Sequence, residues 1–225
     1  MTEKLEQYCS EQLIQYFHKN KIGRDFVCGD IHGCFNELEL ELKKIDFNES
    51  RDRLFCVGDL IDRGPYSKYA LLYYQKDWFH TVRGNHENNF SKFFAMYGKD
   101  YSYYDIYNGA EWSQEMPEYF LKELKTVIDT LPYIIVIDDT LILHAQLPPV
   151  ISLQKIENNP EKYLHKLIWS RNEKPQKIII PGISRVYCGH TIVEEPIEQN
   201  GIINIDTGAF LTFYGKKGKL TVQEI

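Results

Sequence analysis

The sequence has few cysteines and no pattern that pairs them. There are five, an odd number, and no two stand at Cys-x-x-Cys spacing. Cys28 and Cys56 lie inside apolar runs that read as strands, so a disulfide framework is not the basis of the fold. The reading that follows is reduced thiols in a cytosolic protein. Cys34 and Cys188 flank loop motifs and are assigned no ligand role. A positive net charge is also absent: the formal charge is -6, which argues against general affinity for a nucleic-acid backbone. No apolar run approaches the roughly 20 residues that span a bilayer. The first residues lack a basic segment followed by an apolar one, so no secretory signal is read. A cytoplasmic location with no membrane and no nucleic-acid partner is expected. Internal repeats and low-complexity linkers are lacking as well.

What is there suits one sizeable core. Apolar residues make up 43% of 225, and the 16 tyrosines help raise the aromatic share to 14%. Leu5, Tyr8, Cys9, Leu13, Tyr16 and Phe17 recur at helical spacing, predicting a leading helix within residues 1–20. Strands are predicted at 25–28, 53–57 and 79–82, with helices at 35–45 and 66–75 between them. This β-α-β-α-β rhythm predicts a largely parallel sheet covered by helices. Residues 88–130 read as a helical subdomain with a tyrosine-rich patch from Tyr97 to Tyr107. Further strands are predicted at 133–137 and 141–144, joined by a hairpin at Asp138-Asp139-Thr140. Later ones are predicted at 186–188, 202–205, 210–214 and 220–222, with Gly215 to Gly218 as a hairpin turn. One α/β domain over 1–225 with two sheets is the simplest architecture.

Metal-ligand residue types are concentrated in four loops: Gly29-Asp30-Ile31-His32-Gly33, Gly58-Asp59-Leu60-Ile61-Asp62-Arg63-Gly64, Arg83-Gly84-Asn85-His86-Glu87, and the pair His144-Ala145 with Gly189-His190-Thr191. Carboxylate, imidazole and amide oxygen suit manganese, iron or zinc better than a soft thiolate site would. Each candidate ligand follows a predicted strand and lies near glycine, which leaves room for backbone close to a metal. Alternate residues of an extended Asp30-x-His32 segment point the same way and can reach one ion.

These motifs, in this order, resemble the phosphoprotein phosphatase branch of the metallophosphoesterases, whose signatures are GDxHG, GDxxDRG and GNHE followed by two isolated histidines. The likeness is greatest to the small phage lambda-type protein phosphatases, through Trp78-Phe79 leading to Val82–Glu87, Leu167-Ile168-Trp169-Ser170-Arg171, and Ile205-Asp206-Thr207-Gly208-Ala209. It covers about residues 24–225. The resemblance implies a sandwich of two mixed β-sheets flanked by helices in four layers, with a dimetal site at the strand-end loops. It implies two divalent ions, manganese first and iron or zinc as alternatives. One would be held by Asp30, His32 and Asp59, the other by Asp59, Asn85, His144 and His190, with Asp59 bridging. It makes His86 the general acid, oriented by Asp62. Arg63 and Arg171 would bind phosphoryl oxygens. Arg83 matches another site arginine, with a local carboxylate as its alternative partner. The implied substrate is a phosphorylated protein or peptide, and the chain lacks the long C-terminal extensions of regulated relatives, so no regulatory subunit is expected.

Several readings stay open. His18, His80 and His165 are read as packed or surface residues. Asp206 either supports the metals from behind or caps the turn into Gly208. Glu87 either supports its loop or starts the following helix. The tyrosine patch is a subdomain wall or a substrate groove, and Asn172 to Ile183 is a surface loop that follows Arg171. The rival substrate is diadenosine tetraphosphate. The rival of another class is a phosphopeptide-binding pseudoenzyme. One departure stands out: His144-Ala145-Gln146 replaces the His-Ala-Gly of many cellular relatives.

Overall fold

The computed structural model describes residues 13–171 and 177–225. Its strands alternate side chains between two apolar layers, and that alternation builds the fold. In β2 (Asp25–Cys28) and β3 (Arg53–Cys56), Phe26, Cys28, Leu54 and Cys56 face an outer helical core. Val27 and Phe55 face inward, to a layer shared with Ile135, Ile137, Ile142, Tyr187 and Ile203. Those partners come from β5 (Ile134–Ile137), β6 (Thr140–Leu143), β7 (Arg185–Cys188) and β9 (Ile202–Asn204). The alternate residues Ile134, Val136, Leu141, Leu143 and Val186 face the opposite way, into a third apolar cluster that includes Leu167 and Ile168. The order is helices, sheet, sheet, helices, as expected. Strands buried on both faces read as unbroken apolar runs, which is how these appeared in the sequence.

One sheet has the order β10-β2-β3-β4, with β4 at Phe79–Thr81 and β10 at Val222–Glu224. Its first three sequence strands are parallel and in step, Cys28 opposite Cys56 and Cys56 opposite Thr81. Their C-terminal ends therefore release the three long motifs at one edge. The other sheet has the order β1-β5-β6-β7-β9-β8, with β1 at Ile14–Phe17 and β8 at Ile197–Gln199. Here β6 and β7 are parallel, Ile142 opposite Tyr187, so His144 and His190 leave on one side as well. Helix α3 (Asn85–Tyr97) starts at the third motif, and α5 (Glu118–Thr130) packs beside it. Between them, short helical turns fill residues 98–115.

Four expectations are corrected. The leading helix is overturned where it can be seen: Ile14–Phe17 is a strand paired with Ile134–Ile137, while residues 1–12 of that expectation lie outside the described residues. Leu13, Tyr16 and Phe17 fit a helical face, but the edge of β5 offers backbone partners that a helix would leave unpaired. The strand at 210–214 is instead a 3-10 segment, Ala209–Tyr214, entered and left through left-handed glycines 208 and 215. With no strand before it, Gly215 to Gly218 is not a hairpin turn. The strand expected at 220–222 lies at Val222–Glu224. The pattern reading missed helix Gln154–Glu157, helix Pro160–Trp169 (α7), with proline in its first turn, and strand β8, joined to β9 by a turn at Asn200-Gly201, both at positive φ.

Candidate active site

Most of the motif side chains converge. Among the described residues, two groups of potential ligands have their atoms within 4.8 Å of one another: His32, Asp59 and His86, and Asp59, His144 and His190. Asp59 belongs to both. Its Oδ2 lies 3.5 Å from His32 Nε2, 3.9 Å from His86 Nε2 and 3.4 Å from His144 Nε2. Asp59 is almost fully buried. Burial alone would raise its pKa, but His144, His86 and His32 outweigh it and hold the carboxyl well below the usual range.

Each imidazole is anchored through one nitrogen and presents the other. His32 Nδ1 faces the Ile61 carbonyl at 2.9 Å, and His144 Nδ1 faces the Val57 carbonyl at 2.8 Å. His190 Nε2 faces the Trp169 carbonyl at 3.1 Å. A carbonyl only accepts, so these nitrogens donate and the opposite nitrogens carry lone pairs. His144 Nε2, His190 Nδ1 and Asn85 Oδ1 then form a cluster of acceptors, 3.2 Å and 2.8 Å from the first. Acceptors facing one another without a donor between them are what a cation satisfies. This ring anchoring is also the arrangement that orients histidine ligands.

The carboxylates point the same way. Burial, then Asp206 and Asp59, push Asp30 well above its ordinary pKa. Burial, with Asp59 adding, pushes Asp206 up to about 6. Crowded acidic groups with oriented imidazoles fit divalent cations and hard or borderline metals. Asp30 accepts the backbone N–H of His190 at 3.1 Å and is not within either close group, where His86 stands instead. Asp206 follows the capping reading: its Oδ1 accepts Gly208 N–H at 3.0 Å, and its charge also helps to raise Asp30.

The backbone here is strained in a concentrated way. Five of the eight described non-glycine residues at positive φ are His32, Asp59, Asp62, Arg63 and His190. Such conformations persist where surrounding contacts impose them, and they gather at functional sites. Glu87 is one source of that constraint. Its carboxylate accepts N–H bonds from Asp59 at 2.9 Å, Leu60 at 2.7 Å and Gly84 at 3.0 Å. It thus supports the loop and also occupies the first turn of α3, so the two readings of Glu87 coexist. A side chain at Gly84 would collide with Asp59 Oδ1 at 2.1 Å, so only glycine permits this approach.

His86 differs from the other three rings. Its Nδ1 lies 2.7 Å from Asp62 Oδ2, and its buried Nε2 has no hydrogen-bond partner. Burial favours the neutral ring, but the Asp59 charge and the Asp62 hydrogen bond prevail and raise its pKa. A raised imidazole with one free nitrogen can hold a proton and deliver it.

Of the arginines, Arg63 is half-buried, its NH1 2.9 Å from His32 Nε2 and its guanidinium 4.6 Å from the Phe210 ring centre. Arg171 is exposed and close enough to His190 to help lower it, after burial and His144, to about 4. Arg83 lies elsewhere. It is 1% exposed, its NH2 3.4 Å from Asp129, and it stacks over Tyr133. That geometry follows the local-carboxylate alternative and takes Arg83 out of the phosphate-binding set. Two contributors were missed from sequence. Phe210 packs 5.0 Å from the His32 ring and under Arg63, and Trp112 Nε1 donates to Asp62 Oδ1 at 2.8 Å. Phe210 directly follows the Asp206–Ala209 motif, which was its one available signal; Trp112 had none.

The remaining histidines match the plain readings, and His165 is exposed. His18 is exposed beside Asp138 at 2.9 Å, and His80 packs against Phe17 and Phe55, where burial lowers it to about 4. The tyrosine patch is divided: Tyr101 is fully buried in the helical core, whereas Tyr107 is 99% exposed. Part of the loop after Arg171, residues 172–176, lies outside the described residues. The four described cysteines are free and buried. Among the described residues, no helix is long and apolar enough to cross a membrane.

Comparison with known proteins agrees with this geometry. The family described as calcineurin-like phosphoesterase matches residues 26–211. Serine/threonine-protein phosphatase 1 of Salmonella typhimurium is 30% identical over 96% of this chain and 98% of its own length. A symmetrical bis(5'-nucleosyl)-tetraphosphatase from Shewanella sp. (strain MR-4) is 46% identical, but over 33% of this chain and 27% of its own length. Among solved structures, a putative diadenosine tetraphosphatase superposes with a TM-score of 0.69 at 21% identity, covering 95% of this chain and 94% of that one. A serine/threonine phosphatase from Saccharomyces cerevisiae superposes at 0.60 and 18% identity, covering 90% and 73%. At those identities the superpositions speak for the fold.

Proposed function

The chain belongs to the calcineurin-like phosphoesterase family, and from that premise we propose that it hydrolyses phosphate monoesters on the serine and threonine side chains of proteins. The observation that carries the reading is the convergence of His32, His86 and His144 on one oxygen of Asp59. Support for a protein substrate comes from the likeness to the Salmonella enzyme over 96% of this chain, where the Shewanella sp. (strain MR-4) tetraphosphatase matches 33% of it.

Asp30, His32 and Asp59 would hold one divalent ion, and Asp59, Asn85, His144 and His190 the other. Manganese is the first metal to test. When bound, such a pair lowers the pKa of a shared water toward neutrality and neutralises charge on the phosphoryl group. The protein's own groups do the rest. Ile61, Val57 and Trp169 carbonyls fix the three ligand rings. Arg63 and Arg171 take the phosphoryl oxygens, since a guanidinium matches two oxygens and favours their developing charge. His86 gives the proton on Nε2 to the departing serine oxygen, while Asp62 stabilises the ring. A serine alkoxide is a poor leaving group, so this donation lowers its barrier. We read residues 1–225 as one catalytic domain acting in the cytoplasm.

His86→Asn is expected to slow phosphoserine-peptide hydrolysis by about 10²–10⁴-fold, the usual scale of general acid catalysis. Loss on p-nitrophenyl phosphate, whose leaving group needs little protonation, should be far smaller. Equal losses on both would remove His86 as the acid. Side-by-side assay of a phosphopeptide and diadenosine tetraphosphate decides the substrate: turnover of the dinucleotide alone would reverse the proposal, and binding without turnover in excess manganese would point to a pseudoenzyme.

A further inference from the structure

The short turns between α3 and α5 touch the second motif at two points. The Gly109 carbonyl accepts the backbone N–H of Arg63 at 3.1 Å, and the Trp112 indole N–H donates to Asp62 Oδ1 at 2.8 Å. Trp112 sits in the 3-10 segment Ala110–Glu115, half-buried against the helical core. Its bond occupies the oxygen of Asp62 that His86 does not use, because His86 Nδ1 faces Oδ2 at 2.7 Å. The torsion that turns a carboxylate about its Cβ–Cγ bond is broad and weakly restrained. A carboxylate held at one oxygen can still rotate, whereas one held at both is fixed in plane. The free edge of His86 has no hydrogen-bond partner among the described residues, so the ring's hydrogen-bonded restraint comes through Nδ1 and hence through Asp62.

We propose that Trp112 is a positioning residue for the hydrolytic reaction: its indole N–H locks the Asp62 carboxylate in the plane that aims His86 Nε2 at the leaving oxygen. This inference rests on His86 acting as the acid. It gives the helical region a part in the chemical step, through a contact bridging 50 residues of sequence. Packing against the core alone would not require an N–H at this place, because an apolar bicycle of the same shape would fill the same volume. The N–H is what reaches a buried, charged oxygen, and hydrogen bonds to charged groups are the stronger class.

The test is Trp112→Phe, together with 3-benzothienylalanine incorporated at position 112, which keeps the bicyclic shape and replaces only the N–H by sulfur. Both are expected to lower kcat on a phosphoserine peptide about tenfold, on the scale of one charge-assisted hydrogen bond. KM should hold, and turnover of p-nitrophenyl phosphate should stay within about twofold, since that substrate needs little proton donation. In a His86→Asn background the same change should add nothing, because two residues acting through one step are non-additive. Equal losses on the two substrates, or a full extra loss on top of His86→Asn, would overturn the inference and leave Trp112 as packing. Equal losses from His86→Asn alone would instead remove the acid assignment, which separates that failure from this one. If Trp112→Phe folds poorly, the isosteric analogue carries the measurement.

Discussion

The four-stranded sheet delivers its polar residues in contiguous runs, whereas the six-stranded sheet delivers two single histidines. Residues 29–33, 58–64 and 83–87 each follow one parallel strand, and the strands end in step. A short local route from strand to loop places several groups at once. His144 and His190 instead reach the site from separate strands, 46 residues apart, and meet at 3.2 Å only because β6 and β7 are neighbours. The lesson is that half of the centre is built within motifs and half by sheet pairing. Asp59 stands at the seam, and damage to each half should look different.

The largest effect is expected for Asp59→Asn, which touches both halves. Each of the proposed ions would contribute several kcal/mol of charge stabilisation, so kcat/KM should fall by more than about 10³-fold. Elemental analysis should show both metal positions depleted together; two tightly held ions would refute the bridge. His190→Ala strikes the six-stranded side alone. A loss of about 10²-fold is expected, with one ion retained, and loss of both would mean the halves are not separable. Glu87→Gln acts inside the motif half, at a residue outside the proposed ligand set. It replaces an acceptor of the Asp59, Leu60 and Gly84 N–H groups with an amide that has one acceptor oxygen. Metal affinity should weaken about 10–100-fold, the range for groups that support ligands, and isothermal titration would read it. The smallest effect on activity is expected for Arg83→Met. KM should stay within about twofold, while thermal denaturation should show about 1–2 kcal/mol of lost stability, modest because Asp129 is partly exposed. A large KM rise would return Arg83 to the phosphate site.

Legibility followed the range of the contacts. Strands at 25–28 and 53–56 were readable because burial on both faces leaves short apolar runs. The leading helix was misread because Tyr16 and Phe17 suit either period, and only the open edge of β5 decides between them. The strand at 210–214 was misread because its apolar residues have separate destinations: Phe210 lies against His32 and beneath Arg63, Leu211 packs on the helical core, and Phe213 and Tyr214 are exposed. The sequence left Arg83 between substrate and a local carboxylate because an arginine next to a motif looks the same whether it faces the substrate or Asp129.

By itself the sequence determined the chemical inventory: which carboxylates, imidazoles and amide follow which strands, with glycine beside them. That information is local, carried within five to seven residues of each other in the three long motifs. Tertiary structure decided which groups meet. The pairing of His190 with Asp30 across 160 residues, of Trp112 with Asp62 across 50, and the placing of Arg83 inside the core all depend on how two sheets and a helical region pack. Such contacts join distant points of the chain, and no spacing in the sequence encodes them.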